Sequence, residues 1–139
     1  MRFNYRPEEI PISETSKRTK TIWRPIIPII LMKGTKMVGF EALIDSGADN
    51  NIFPSEISDV LNIKLKSGKS RKILGISGEP IKGYIHKVEF KLVGMKSFAA
   101  PVIFSSQMSK HSLGVLGNTG FFDNFKVEFD YKRKLFEIN

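Results

Sequence analysis

The sequence predicts an all-β fold, a small barrel or sandwich, on three observations. Short apolar or alternating runs recur along the 139 residues. Clusters of glycine, proline, asparagine and serine separate them, as turns separate strands. Apolar residues hardly ever repeat at the three-and-four spacing of an amphipathic helix. Short strands joined by turns, with almost no helix, close into a barrel or stack as a sandwich. The length suits one domain able to bury its own core.

Residues 1–21 are polar and punctuated by proline. They are expected as an N-terminal arm, extended or disordered, ahead of a domain over 22–139. They lack the apolar stretch of a signal peptide. The apolar run 26–32 is too short to span a bilayer, so a cytoplasmic protein without membrane contact is expected. That run reads as a strand, with Pro28 at an edge or bulge because proline cannot donate to a ladder. Lys33-Gly34-Thr35-Lys36 is a turn, and 37–44 returns as the second arm of a hairpin ending at Asp45.

Asn51-Ile52-Phe53 is a short strand, and 54–61 makes one or two helical turns with Ser55 as cap. Residues 64–72 are basic and exposed. Three glycines and a proline among the β-formers of 73–86 give a long hairpin with its tip near Ser77-Gly78-Glu79. Val88-Glu89-Phe90-Lys91-Leu92-Val93 alternates as a half-buried strand does. The run 98–104 is apolar and broken by Pro101. Leu113-Gly114-Val115-Leu116-Gly117 is a glycine-marked strand, and 118–124 is a short helix with Asn118 as its cap. The end alternates twice, over 125–129 and 135–138, around a basic turn at 131–134.

Composition removes several functions. There is no cysteine, which excludes disulfides and thiolate metal sites. His86 and His111 lie far apart without ligand spacing, so no metal and no cofactor are expected. The net charge of +8 raises nucleic acid as a partner. The basic residues are dispersed, over 17–24, 64–72 and 132–134, and no nucleic-acid-binding signature accompanies them. Nucleic acid is therefore not the expected partner.

The chemistry concentrates in Phe40-Glu41-Ala42-Leu43-Ile44-Asp45-Ser46-Gly47-Ala48-Asp49. An apolar strand runs into an acid and turns at once. A carboxylate at the end of a buried strand is costly unless a site uses it. Gly47 gives the turn backbone freedom, and the Ser46 hydroxyl can bond nearby backbone to hold it.

These residues resemble the retropepsin-like aspartic peptidases, the single-lobed family of retroviral proteases and their cellular relatives. Ala42-Leu43-Ile44-Asp45-Ser46-Gly47-Ala48-Asp49 is similar to the family's apolar-apolar-Asp-Thr/Ser-Gly-Ala signature. Residues 75–86 are similar to its flap hairpin. Val115-Leu116-Gly117-Asn118 is similar to the apolar-apolar-Gly element under the active-site loop. The resemblance covers roughly 22–138, and it implies a single-lobed closed β-barrel with one or two short helices. It makes Asp45 catalytic, with Ser46 and Gly47 in the active-site loop and Leu116 and Gly117 supporting that loop. It places Ala48, Asp49, Gly75, Ile76, Ser77 and Gly78 against a polypeptide substrate.

An aspartic peptidase activates water between two carboxylates that share a proton, because like charges about 3 Å apart do not both ionise comfortably. This chain has one Asp-Ser-Gly. A homodimer pairing Asp45 with Asp45 follows, and in the family chain ends interleave, so 135–138 is expected at the interface. Three departures stand out. Asn118 occupies the position where retroviral members often carry an Arg that pairs with the acid matching Asp49. Glu79-Pro80 stiffens the flap tip, and the arm before Ile22 has no family equivalent. Two other readings remain: a non-catalytic peptide-binding dimer of this fold, and a basic β-barrel that binds nucleic acid.

Overall fold

The computed structural model describes residues 1–75 and 78–139. In chain order its strands are β1 (Arg2–Asn4), β2 (Arg6–Pro11), β3 (Thr19–Arg24), β4 (Ile26–Lys33), β5 (Lys36–Ile44) and β6 (Ile52–Pro54), followed by β7 (Lys69–Ile73), β8 (Ile81–Leu92), β9 (Phe98–Ser105), β10 (Gly114–Leu116), β11 (Val127–Asp130) and β12 (Leu135–Ile138). One short helix, α1 (Ser55–Val60), and a 3-10 turn (Leu65–Ser67) follow β6.

Six strands close a barrel. Their order is β4-β5-β10-β6-β9-β8, and β8 returns to β4. Closure leaves none of the six with a wholly open edge. β8 makes it possible by serving three neighbours along its length: β7 through Ile81 to Ile85, β9 through Tyr84 to Phe90, and β4 through Glu89 to Leu92. The parallel pair β5–β10 and the antiparallel pair β10–β6 bring the ends of β5 and β10 and the start of β6 to one rim of the barrel. Alternation sends one face of each strand inward, and Ile27, Ile29, Leu31, Phe53, Phe90, Leu92, Phe104 and Leu116 are fully or almost fully buried. Aromatic contacts thread the interior from Phe40 to Phe53 (5.9 Å) to Phe90 (6.0 Å) to Phe98 (5.6 Å). The fully buried rings, Phe53 and Phe90, each stabilise the fold by about 2 kcal/mol through burial.

Most of residues 1–21 are extended and paired, in β1, β2 and the start of β3, with a turn over 12–18. β1 lies against β12 in a three-stranded sheet of order β1-β12-β11, and β2 forms a separate hairpin with β3. Phe136 of β12 is fully buried and stacks on Phe3 (5.4 Å), which ties this sheet to the core.

Several local expectations change. The 118–124 stretch makes turns rather than a helix: Gly120 adopts φ +100°, and its amide donates to Asp123 Oδ1 (2.9 Å) instead of a helical carbonyl. Ser55 does not cap α1. Pro54 occupies the cap position, Ser55 is the first helical residue, and its carbonyl accepts the Ser58 hydroxyl (2.5 Å). Pro101 does not break β9, which pairs through it with Lys87; on the other side, pairing with β6 begins only at Ile103. Pro28 pairs with Glu41 and sits one residue beyond the β4–β8 ladder, where a missing N–H costs nothing. Leu135–Ile138, expected to offer an edge to a second chain, is the middle strand of its sheet, with β1 and β11 on its two sides.

Candidate active site

β5 delivers Asp45 to the barrel rim. Its amide donates to the Leu116 carbonyl (3.0 Å), continuing the β5–β10 ladder by one bond. The chain then turns back on itself: the Gly47 amide donates to Asp45 Oδ1 (2.9 Å) and the Ala48 amide to the Asp45 carbonyl (3.1 Å). The acid thus holds its own turn. Asp45 is half-buried at the floor of a cleft, not sunk beneath the surface. Gly47 keeps φ outside the left-handed region, so freedom of φ is not its use. A Cβ there would stand 3.2 Å from Asp45 Oδ1, and its absence lets the amide close on the carboxylate. The exposed Ser46 hydroxyl makes no hydrogen bond among the described residues; the turn is held without it.

β10 and the residues after it support the loop from below. The Asn118 amide donates to the Ala48 carbonyl (2.8 Å) and the Thr119 amide to the Asp49 carbonyl (2.9 Å). Gly117 passes so close under the loop that a Cβ would lie 2.4 Å from the Asn50 carbonyl oxygen and 2.6 Å from that of Ala48. Only glycine fits. Asn51, which the sequence suggested only as part of a strand, is fully buried. Its Oδ1 accepts the Gly117 amide (3.0 Å), and its Nδ2 donates to the Pro101 carbonyl (3.2 Å). One side chain therefore links the loop, β10 and β9. The signal was a polar residue at the head of an apolar strand, with no sequence neighbour to satisfy it.

The cleft holds about 510 Å³. Asp45, Gly47, Ala48, Asp49 and Asn50 form its floor together with Ile52 and Val115, while Lys72, Ile73, Leu74 and Gly75 form a wall. Ser46, Leu116 and Gly117 do not line it. Gly78 lies at the far end of the hairpin with φ +85°, its amide on the Gly75 carbonyl (3.2 Å), and it too is outside the lining. Ile76 and Ser77 lie outside the described residues. The wall is the β7–β8 hairpin, with Lys72 opposite Lys82 and Ile73 opposite Ile81.

Two polar contacts hold the cleft end of β8. Buried Ser105 donates to the Lys82 carbonyl (2.6 Å), and the Lys82 amide donates to the Gln107 side chain. Four residues further along β8, half-buried His86 donates through Nε2 to the Leu65 carbonyl (2.7 Å). His86 is thus a structural tie. No group of three or more His, Asp or Glu among the described residues is placed to hold a metal, and no helix among them is long and apolar enough to cross a membrane.

Two solved structures with this architecture are proteases. The retropepsin-like aspartic protease from Rickettsia conorii matches with a TM-score of 0.58 at 19% identity, covering 82% of this chain and 89% of its own. The EIAV protease, solved in complex with an inhibitor, matches with a TM-score of 0.50 at 15% identity, covering 77% of this chain and 88% of its own. No protein-family model matches the chain, and no curated protein sequence does. The chain has the retropepsin-like fold.

Proposed function

We propose that this retropepsin-like chain is an aspartic endopeptidase, active as a homodimer in which two Asp45 side chains, one from each copy, activate a water molecule. One observation carries the reading: an Asp-Ser-Gly turn, clamped from below by Gly117 and Asn118, presents its acid at the floor of a cleft walled by a hairpin. One carboxylate of the pair takes a proton from water while the other donates towards the scissile carbonyl. The pair works with a single proton between them, which gives a bell-shaped pH–rate profile. The hairpin closes over an extended polypeptide and excludes water. Gly75 and Gly78, with Ile76 and Ser77, would supply that cover, and Ala48 and Asp49 would meet the substrate backbone from the floor.

A single chain offers one such acid, so the second copy completes the site. The outer edges of β1 and β11 remain open for it, since β12 is enclosed. Residues 22–139 form the peptidase domain in this reading, and 1–21 its appended arm.

The test compares wild type and Asp45→Asn on a mixed peptide library, with sedimentation velocity on both. The expected outcome is cleavage by the wild-type dimer, and loss of activity by about 10³-fold or more in the variant at unchanged dimer content. Cleavage that persists in purified Asp45→Asn, or full specific activity in a monomer at high dilution, would overturn the reading.

A further inference from the structure

The first strand of the hairpin that walls the cleft, with the stretch leading into it, carries charge of one sign. Lys64, Lys66, Lys69, Arg71, Lys72 and Lys82 are all exposed. The sequence places no carboxylate side chain between Asp59 and Glu79. Each of the five ion pairs among the described residues lies elsewhere, and none involves a residue between 42 and 125. Across the β7–β8 ladder, Lys72 faces Lys82, and Arg71 and Lys69 face Gly83 and Ile85. Cations directly opposite one another weaken a hairpin, and an anion placed beside them reverses that penalty.

β7 is also an open edge. Among the described residues it pairs only with β8, so one side of its backbone is open to another strand. Lysine on an edge strand can serve merely to repel other edges. The remaining open strands are built differently: β1, β2, β3 and β11 have acids paired with neighbouring cations, as in Arg2–Glu137, Arg24–Glu8 and Arg133–Asp130. The single-sign edge is the one that runs into the cleft, because Lys72 belongs both to β7 and to the cleft wall.

We infer that this edge binds an acidic segment of the polypeptide substrate, rich in Asp or Glu and adjoining the bond presented to Asp45. The inference rests on the peptidase reading and names a substrate class for it. An extended chain adding to β7 makes main-chain bonds along the open edge, while its carboxylates meet Lys66, Lys69 and Arg71. The field of the strip draws acidic chains to the cleft, and salt weakens that attraction.

The test uses two fluorescent peptides that share one cleavable core, one flanked by glutamates and the other by glutamines, with a single-stranded oligonucleotide of the same charge as the first. Binding is measured on full-length Asp45→Asn protein, with and without the substitutions Lys66→Gln, Lys69→Gln and Arg71→Gln. These residues lie outside the cleft, and their exposure keeps the fold intact. The glutamate peptide is expected to bind about tenfold more tightly than the glutamine peptide at low salt, as three exposed charge pairs together supply. The preference should vanish in the triple variant and fade as salt rises. In the cleaving protein, the triple substitution should leave turnover of the glutamine peptide unchanged and remove the advantage of the glutamate peptide. Equal binding of the two peptides overturns the inference, as does a preference that survives the triple substitution. Tighter binding of the oligonucleotide overturns it in favour of nucleic acid. Failure of the wild type to cleave either peptide sinks the peptidase reading alone, because the binding comparison needs no cleavage and still decides the edge.

Discussion

The floor and the wall of the cleft are built on opposite principles. On the floor, backbone groups are spent within the chain: the Asp45, Gly47, Ala48, Gly117, Asn118 and Thr119 amides all have partners inside the loop or its support. Asn51 beneath it is fully buried. On the wall, Lys69, Ser70, Arg71 and Lys72 are exposed, and Leu74 keeps 78% of its surface open although it is apolar and faces the cleft. A floor of that kind fixes one geometry. A wall of that kind is still to be covered, and its apolar and charged surface becomes useful only in contact with another chain.

Substitutions can break this contrast, because floor changes should cost stability while wall changes should cost only affinity. Gly117→Ala carries the largest expected loss. Its new Cβ meets backbone oxygens that cannot step aside, so about 3 kcal/mol should disappear in urea denaturation, together with activity. A variant as stable as wild type would mean the loop is looser than its contacts imply. Asn51→Ala comes next. It orphans the Gly117 amide and the Pro101 carbonyl, at about 1–3 kcal/mol for each group left buried without a partner. Asn51→Asp should recover the bond to Gly117 but not the one to Pro101, which splits the two contributions.

Leu74→Ser tests the wall. Urea midpoints should not move, while KM for peptides should rise roughly fivefold, as expected for about 1 kcal/mol of apolar contact made only with substrate. A drop in stability instead would show that Leu74 already packs against its own chain.

The smallest effect lies away from both regions, in the β2–β3 hairpin. There Thr21 and then Thr19 donate to the Glu9 carboxylate and hold it below the usual carboxylate range. A folded-state pKa that is lowered gives stability present above the unfolded value and lost as pH falls through the folded one. Protection factors of the β2 and β3 amides, corrected for the intrinsic exchange rate at each pH, should therefore fall on acidification through that window, and Glu9→Gln should flatten the response. An unchanged pH dependence in Glu9→Gln would show that other groups set it.

The sequence shows the floor more readily than the wall because local chemistry writes it. Asp45 to Ala48 close a turn on themselves, and a strand, an acid and a glycine in succession announce it. The retropepsin-like barrel was legible for a similar reason, through short strands and the spacing of two motifs that pack together. The role of Asn51 was not legible, since its partners Gly117 and Pro101 lie 66 and 50 residues away. The expected helix over 118–124 failed because Gly120 leaves the helical region and Asp123 takes the amide that a helix would use. Lys72 read as part of an exposed basic stretch; nothing local revealed that β7 ends inside the cleft.

The three-stranded sheet has a consequence for the order of folding. Arg2 of β1 stands opposite Glu137 of β12, 135 positions later, and β1 has no other strand to join. During synthesis the first strand therefore waits, unpaired, until nearly the whole of the rest has emerged. The hairpins β2–β3, β4–β5 and β7–β8 can form as they appear, but the terminal sheet closes last. Contacts of such long range are slow to form and leave a bare strand edge in the meantime. A second copy meeting the chain at that stage would find β1 more open than it is in the finished fold.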